Sequence, residues 1–245
     1  MAPPAPYEPT FYEAIEREAL ASAEIIVPLV RRLFVSDSVL DVGCGHGTWL
    51  SVFKRAGSRR VRGLDGRWVD QTRLAISEEE FQATDLNGEW SVPDGFDVAV
   101  CLEVAEHLPS GASGHLVENL VRAAPVILFS AALPGQGGTN HVNEQWPEYW
   151  DGLFGKHGFE RLDPFRRQVW QDPRVAWYYQ QNLYAYVSRR MLEGASQLRE
   201  ERERMRQCPV TLVHDKMLRP VRQLRPAVRL LPALLLAALR RRWTR

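Results

Sequence analysis

The stretch that decides the fold is residues 39–50, which read Val39-Leu40-Asp41-Val42-Gly43-Cys44-Gly45-His46-Gly47-Thr48-Trp49-Leu50. A short apolar run precedes three glycines at every second position, and helix-forming residues follow them. Such a run is typical of a buried parallel strand, and glycine permits positive φ and close approach of a ligand to the backbone. The stretch therefore predicts a strand, a glycine turn and a helix whose free N–H groups face the turn.

The spacing of the glycines, G-x-G-x-G, narrows the ligand that the turn could bind. It differs from the G-x-G-x-x-G that fits a pyrophosphate, and no Gly-Lys-Ser/Thr follows that would bind a triphosphate. Three later stretches place acidic residues at or after predicted strands. Residues 61–65 end in Asp65, residues 83–86 contain Asp85, and residues 96–108 run from an apolar strand into Glu103-Val104-Ala105-Glu106-His107.

Together these stretches resemble the class I S-adenosylmethionine (SAM) methyltransferases, and the resemblance covers about residues 20–190. It implies SAM as the cofactor, with the glycine turn along the methionine part, Asp65 on the ribose hydroxyls and Asp85 near the adenine. The residues that it predicts to bind the cofactor are Asp41, Gly43, Gly45, Gly47, Asp65, Asp85, Leu86 and Cys101.

Strands alternate with helices along the chain, which predicts an α/β protein with a doubly wound sheet. The resemblance implies a Rossmann-like sheet of seven strands, and the alternating last strand is typical of an antiparallel edge member. Helices are expected at 8–34, with a break or kink at Pro28, and at 69–76. The predicted domains are an N-terminal lead-in with helices, residues 1–34, a SAM-binding methyltransferase domain, residues 35–190, and a basic helical tail, residues 191–245.

Composition bounds the class of protein. The chain has 245 residues and is 45% hydrophobic, which is enough for one α/β domain with its own core. Cys44, Cys101 and Cys208 are far apart and provide neither a disulfide framework nor paired zinc-finger spacing. Residues 1–6 lack the basic and apolar regions of a signal peptide. We therefore expect a protein of the reducing cytoplasm.

The chemistry is predicted where the fourth strand ends. Glu103, Glu106 and His107 have the spacing of one face of a helical turn, and His141 follows the neighbouring strand. A hydroxyl is a poor nucleophile at neutral pH, so an enzyme that methylates it supplies a base, a metal or both. Two carboxylates and two imidazoles suit Mg²⁺ or Mn²⁺. We predict these four residues as metal ligands and the two histidines as catalytic; the alternative is a metal-free site in which His107 is the base.

Resemblance also guides the choice of acceptor. The Glu-x-x-Glu-His run with a distant His is similar to that of small-RNA 3′-terminal 2′-O-methyltransferases. The run alone is similar to that of ubiquinone-pathway O-methyltransferases. Both groups resemble metal users that chelate a vicinal diol or catechol. Residues 141–149 resemble bacterial methyltransferases of polysaccharide and natural-product pathways, which implies a hydroxyl of a sugar or glycan. The alternatives are a phenol or natural-product acceptor and a SAM-binding scaffold without catalysis. The aromatic insert at 170–181 is expected in the core or in the acceptor pocket.

Charge separates the body from the tail. Residues 189–245 carry 15 Lys/Arg and 5 Asp/Glu, a net of +10, whereas the rest of the chain has a net charge of −9. An acidic body disfavours nucleic acid as a partner. In the tail, residues 230–239 are apolar except for Pro232 and lie between arginines, with Trp243 nearby. This pattern predicts an interfacial helix at the inner face of the membrane, too short to span it; the alternative is packing on the body or on a second subunit, and the oligomeric state stays open.

Overall fold

A computed structural model describes residues 9–207 and 212–217, with side chains described from residue 15 onward. The chain divides into two compact units, Met1–Thr211 and Leu212–Arg245. All helices and strands named below belong to the first unit. The predicted apolar segment 230–239 and the arginines around it lie outside the described residues.

One sheet forms the centre of the first unit. Its strands, in chain order, are β1 Ser38–Val42, β2 Arg60–Asp65, β3 Phe81–Ala83, β4 Val98–Leu102, β5 Val126–Ser130, β6 Phe159–Leu162 and β7 Tyr184–Ser188. They lie in the order β3-β2-β1-β4-β5-β7-β6. The pairs among β1 to β5 are parallel, and β7 is antiparallel to both β5 and β6. The predicted Rossmann-like sheet of seven strands with an antiparallel last strand is confirmed.

The place of β7 differs from the expected edge position. β7 lies between β5 and β6, so β6 is the edge strand on that side. The first four residues of β7 are buried. Both faces of β7 are therefore covered, and the alternation of tyrosine with small or branched residues does not mark a face in water.

Helices cover both faces of the sheet. In chain order they are α1 Pro9–Leu33, α2 Thr48–Arg55, α3 Ser113–Ala123, α4 Pro147–Lys156, α5 Arg166–Val169, α6 Trp177–Asn182, α7 Arg189–Gly194 and α8 Ser196–Arg206. The expected helix after the glycine turn is α2, and Gly57 follows it with φ +106°. Two hydrophobic clusters, one on each face of the sheet, form the core.

α1 is one helix, so of the break or kink predicted at Pro28 the break is wrong and the kink stays a prediction. Pro28 lies inside the helix, while Ala23, Ile26, Val27 and Val30 around it are fully buried. A proline within a helix removes one backbone hydrogen bond and costs about 3 kcal/mol. Burial of a branched or long apolar side chain returns about 1.5–3 kcal/mol, so packing against the core offsets the loss.

The predicted helix at 69–76 is also wrong. Only Gln71–Arg73 form a short 3₁₀ turn. The Asp70 carboxylate accepts hydrogen bonds from the N–H and the hydroxyl of Thr72, at 3.0 and 2.7 Å. Such a local side-chain bond competes with helix formation, and the chain is already extended at Leu74.

The aromatic insert belongs largely to the core. Tyr179 is 5% exposed, and its ring meets the ring of Trp49 edge to face with centroids 5.3 Å apart. Trp49 is the second residue of α2, directly after the glycine turn. Of the two expectations for this insert, core packing therefore describes Tyr179.

The first part of the predicted tail packs with the body. Leu192 in α7 and Leu198 in α8 are buried in the same hydrophobic cluster as α1 and α2. Within the described ranges, no helix is both long and apolar enough to cross a membrane.

Candidate active site

The glycine turn between β1 and α2 has positive φ at each glycine, +82° at Gly43, +53° at Gly45 and +80° at Gly47. A Cβ on Gly43 would lie 2.3 Å from Val104 Cγ2, and a Cβ on Gly47 would lie 2.8 Å from Ile76 Cγ1. At Gly45, nothing lies within 4 Å of the same position. The turn is therefore packed at both ends and open at its middle, where a ligand can approach the backbone.

Asp65, at the carboxyl end of β2, is bound to this turn. Its Oδ2 accepts a hydrogen bond from the N–H of Gly45 at 2.7 Å, and its Oδ1 accepts one from Gly66 at 2.6 Å. Burial raises the pKa of Asp65, although these two N–H groups oppose the rise. A carboxylate offers about four acceptor sites, so Asp65 keeps sites for the hydroxyls of a ribose.

Asp41 lies inside the sheet beneath the turn, opposite Gly63 of β2 and Val100 of β4. It is 3% exposed, and its Oδ2 has no hydrogen-bond partner in the described part of the chain. Burial, and then the charge of Asp65, raises the pKa of Asp41 to about 8. Asp41 is therefore mainly protonated at neutral pH.

Three further residues predicted to bind the cofactor are either exposed to solvent or buried in the core. Asp85 is exposed, and its Oδ1 accepts hydrogen bonds from the backbone and side-chain N–H of Asn87 at 3.0 and 2.8 Å. Leu86 is 5% exposed and packs in a core cluster. Cys101 is fully buried in β4, a central strand, and its contact with the cofactor stays a prediction.

Glu106, His107 and His141 converge beyond the carboxyl ends of β4 and β5. Each offers a ligand atom within 4.8 Å of those of the other two. The two imidazole rings are 5.0 Å apart between centroids and nearly perpendicular, at 87°. Glu106 is fully buried, and neither of its carboxyl oxygens has a hydrogen-bond partner among the residues described. The structure thus brings together three of the four predicted metal ligands.

The charges of this group depend on its surroundings. Burial, and then the charge of Glu103, raises the pKa of Glu106 well above its usual value. Burial, and then the nearby His141, lowers the pKa of His107. The lowered pKa of His107 favours the uncharged ring with its lone pair, and the raised pKa of Glu106 favours its protonated form, whose proton a divalent cation would displace.

Glu103 is not one of the three residues whose ligand atoms lie within 4.8 Å of one another, and its role as a metal ligand stays a prediction. Its φ is +54°, in the left-handed region, and the 3₁₀ turn that follows covers only Ala105–His107. The expected helical face with Glu106 and His107 therefore does not form. The Glu103 carboxylate instead accepts hydrogen bonds from Gln136 Nε2 at 3.0 Å and Asn182 Nδ2 at 3.1 Å.

Glu144, which was not among the residues predicted for the site, organises the loop that carries His141. Its carboxylate accepts hydrogen bonds from the N–H groups of Gly135 and Gly137, each at 2.7 Å, and binds His141 Nδ1 at 2.9 Å. Burial opposes its ionisation, but these hydrogen bonds hold the pKa of Glu144 below its usual value. An acid three residues after a histidine in a glycine-rich loop was the signal that could have identified it.

Two further residues fix the position of this loop. Asn143 is 3% exposed; its backbone N–H donates to the carbonyl of Glu106 at 3.1 Å, and its Nδ2 donates to the carbonyl of Ala105 at 3.2 Å. A Cβ on Gly138 would lie 2.2 Å from His141 Nε2, so a larger residue there would displace the imidazole. These contacts connect the loop after β5 to the turn after β4.

The donor sets fit the two ligands that the sequence predicts. The open middle of the glycine turn and the Asp65 carboxylate suit the backbone-lined methionine part and the ribose of SAM. The partnerless oxygens of Glu106 beside two imidazoles suit a divalent cation with mixed oxygen and nitrogen ligands.

A methyltransferase-domain family model matches residues 14–172 of the chain. The ubiquinone biosynthesis O-methyltransferase of Neisseria meningitidis serogroup C is 33% identical over 103 residues, which cover 38% of this chain and 42% of that protein. The protein of the same name from Ralstonia nicotianae is 34% identical over 102 residues, with the same two coverages. The chain therefore matches about two fifths of the length of these curated relatives.

Solved structures show the same fold at low identity. The Streptomyces venezuelae protein DesVI superposes with a TM-score of 0.53 at 16% identity, over 73% of this chain and 95% of that one. The methyltransferase domain of a bacterial Hen1 superposes with a TM-score of 0.50 at 16% identity, over 70% of this chain and 98% of that one. At such identities the likeness shows the fold alone.

Proposed function

Because the chain belongs to the methyltransferase-domain family, we propose that it transfers the methyl group of SAM to a hydroxyl group, with a divalent cation bound by Glu106, His107 and His141. The observation that carries the proposal is the convergence of these three ligand atoms within 4.8 Å of one another. They lie past β4 and β5, beside the glycine turn that follows β1 in the same sheet. A ligand bound to the open turn and an acceptor near the three residues would therefore be neighbours.

The roles of the residues follow from this arrangement. SAM supplies a methyl group on a sulfonium, which is already activated for transfer. The protein must then position the hydroxyl and lower the cost of losing its proton. A Mg²⁺ or Mn²⁺ ion held by these ligands would act as a Lewis acid on the oxygen of the hydroxyl. His107, whose lowered pKa favours the uncharged ring, can serve as a ligand or accept the proton.

His141 is oriented for the same task. The Glu144 carboxylate is ionised and accepts hydrogen bonds, so His141 Nδ1 must carry the hydrogen of their 2.9 Å bond. In the uncharged ring, Nε2 then keeps the lone pair that a metal or a proton needs. This carboxylate–histidine pair supports both the metal-assisted reaction and the metal-free alternative in which a histidine is the base.

We propose a hydroxyl of a sugar or glycan as the acceptor, because residues 141–149 resemble methyltransferases of polysaccharide and natural-product pathways. A phenol is the second candidate, favoured by the match to two ubiquinone biosynthesis O-methyltransferases. A nucleic acid is disfavoured, because the chain before residue 189 has a net charge of −9.

A turnover screen tests the proposal. The full chain is incubated with labelled SAM and sugars, nucleotide sugars, glycolipids or catechols, with and without EDTA. We expect turnover on one hydroxyl class, loss of turnover with EDTA and recovery with Mn²⁺ or Mg²⁺. Turnover that EDTA does not inhibit would favour the metal-free alternative in which a histidine is the base. Turnover on amines alone would contradict the proposed hydroxyl acceptor.

Matched histidine variants locate the reaction centre. His141→Ala should lower kcat about a hundredfold or more, as for loss of a metal ligand or general base. His115→Ala is the control, because His115 is exposed on α3 and outside the group. Equal kcat values for the two variants would remove His141 from the mechanism.

A further inference from the structure

The two halves of α1 are held in different ways. Between residues 23 and 30, the helix contributes four fully buried apolar side chains to the core. Residues 15–21, which we call the front segment, contain one buried side chain, Ala19, and Leu20 beside it is 36% exposed. Regions with few buried apolar contacts open most readily, so the front segment can detach while the rest of α1 stays in place.

Glu16 attaches the front segment to the glycine turn. Its Oε1 contacts His46 Nδ1, and its Oε2 accepts a hydrogen bond from Arg73 Nη2 at 3.4 Å. His46 directly follows Gly45, the open glycine of the turn. Arg73 lies in the connection that begins after Asp65 at the end of β2. Glu16 therefore bridges the two loops that we predict to bind the methionine part and the ribose of the cofactor.

The end of the front segment is tied to α6. Tyr178 Oη donates to Glu18 Oε2 at 3.2 Å, and the N–H of Ala176, the residue before α6, donates to Ser22 Oγ at 2.9 Å. Ser22 Oγ also donates to the carbonyl of Glu18 at 2.6 Å. A serine bonded to the carbonyl four residues earlier often bends a helix. Because Ser22 is fully buried while Glu18 is exposed, Ser22 marks the point about which the front segment can turn.

The contacts that hold the front segment are polar and partly open to water. The side chain of Glu16 is 30% exposed, and that of Arg73 is 36% exposed. Ion pairs between groups of this kind contribute little, because water and dissolved ions screen them. Opening the front segment therefore requires the loss of its contacts with His46, Arg73 and Tyr178, while the rest of α1 remains in the core.

We propose that the front segment is a lid over the cofactor, with its hinge at Ser22 and its latch at Glu16, and that the opening of this lid sets the rate at which SAM and S-adenosylhomocysteine exchange. Transfer of the methyl group converts SAM into S-adenosylhomocysteine in the same site, so every turnover requires one exchange. The closed lid keeps water from the reacting groups and holds the cofactor between the two loops that Glu16 bridges. The proposal rests on the use of SAM and is independent of the methyl acceptor and of the metal.

Rapid filtration on the full chain, with tritiated SAM and no methyl acceptor, tests the proposal. It gives the association rate constant directly, and a chase with excess unlabelled SAM gives the dissociation rate constant. Glu16→Ala removes both contacts of the latch, and we expect each rate constant to rise by about threefold to tenfold, the range for loss of exposed ion pairs. Because the latch holds the lid in the free and in the bound chain alike, the ratio of the two constants, Kd, should change by less than about threefold.

Glu24→Ala is the matched control. Glu24 lies on the same helix behind the hinge and pairs with Arg55 at 3.2 Å, so both rate constants should stay within about twofold of those of the wild type. Tyr178→Phe removes the hydroxyl that binds Glu18 and should raise both rate constants, as Glu16→Ala does. A thermal melt of each variant checks the fold.

Two results would overturn the proposal. A rise in the dissociation rate constant alone would make Glu16 a ligand of the cofactor and not a latch. Unchanged rate constants for Glu16→Ala would show that exchange does not depend on the front segment. A wild-type chain that binds no SAM would instead overturn the proposed function itself, and the lid with it.

Discussion

At the scale of single residues, the buried acid Asp41 predicts a pH dependence of stability. Its pKa is about 8 in the folded chain and 3.8 as a free side chain. Between these values the folded state holds a proton that the unfolded chain has released, so stability falls as pH rises, by at most about 1.4 kcal/mol per pH unit. Asp41→Asn removes this proton, so the stability of the variant relative to wild type should increase from about pH 5 to about pH 8.

Urea unfolding at several pH values measures this difference. Asp94→Asn is the matched control, because the side chain of Asp94 is 79% exposed and should leave the pH slope unchanged. If Asp41→Asn and the control have the same slope, the Asp41 carboxyl is already ionised in the folded protein.

Single residues also show where prediction from sequence ends. Glycine spacing located the turn, and the spacing of Glu106, His107 and His141 located the group that the structure brings together. Helical periodicity put Glu103 with them, but a left-handed φ after β4 cannot be read from spacing. Two of the three partners of Glu144 are backbone N–H groups, which sequence patterns do not reveal, so only its position three residues after His141 could have identified it.

At the scale of elements, the loop between β5 and α4 acts as one unit around Glu144. Glu144→Ala removes the acceptor of three hydrogen bonds, from Gly135, Gly137 and His141. We expect Mn²⁺ affinity to fall about tenfold to a hundredfold, as for loss of the partner that orients a ligating histidine. SAM affinity should stay the same, because the glycine turn lies after β1 and has no bond to Glu144 among those described.

Mn²⁺ titration followed by electron paramagnetic resonance measures the first effect, and calorimetry measures the second. Glu118→Ala is the control: Glu118 is on α3, and its partner is Arg122 one turn away. Equal Mn²⁺ affinity in the two variants would show that His141 needs no support from Glu144.

At the scale of the whole molecule, the prediction concerns the basic tail. Residues 222–245 contain seven arginines and no acidic residue. Each basic residue near an anionic surface contributes about 1 kcal/mol, and the apolar segment 230–239 adds burial. We expect the full chain to sediment with anionic vesicles at about 0.05 M salt and to be released at about 0.5 M. A chain ending at residue 221 should stay in solution and still bind SAM.

Zwitterionic vesicles are the control for charge, and neither chain should sediment with them. If the truncated chain instead loses SAM binding or changes its subunit number, the tail belongs to the fold or to a subunit interface. The membrane interpretation would then be dropped.

At this scale, the apolar pattern of the sequence predicted the strands of the sheet better than it predicted which strands pair. The apolar runs of β1, β4 and β5 are central strands, and their length and apolar composition identify them without tertiary information. The insertion of β7 between β5 and β6 depends on which edges pair, and no local pattern records that. The short turn at Gln71–Arg73 likewise depends on Asp70, whose side chain competes with the helix.

The position of β7 has a consequence for the order in which the molecule is assembled. During synthesis, β6 leaves the ribosome before β7, yet β7 is its only neighbour among the strands that the structure describes. The edge strand therefore waits unpaired until residues 184–188 have emerged, about one to five seconds after it at ordinary rates of elongation. Asn182 arrives in the same step and closes on Glu103 from the preceding helix. A nascent chain arrested shortly before this point would hold the parallel strands β1 to β5 without the hydrogen bond from Asn182 to Glu103.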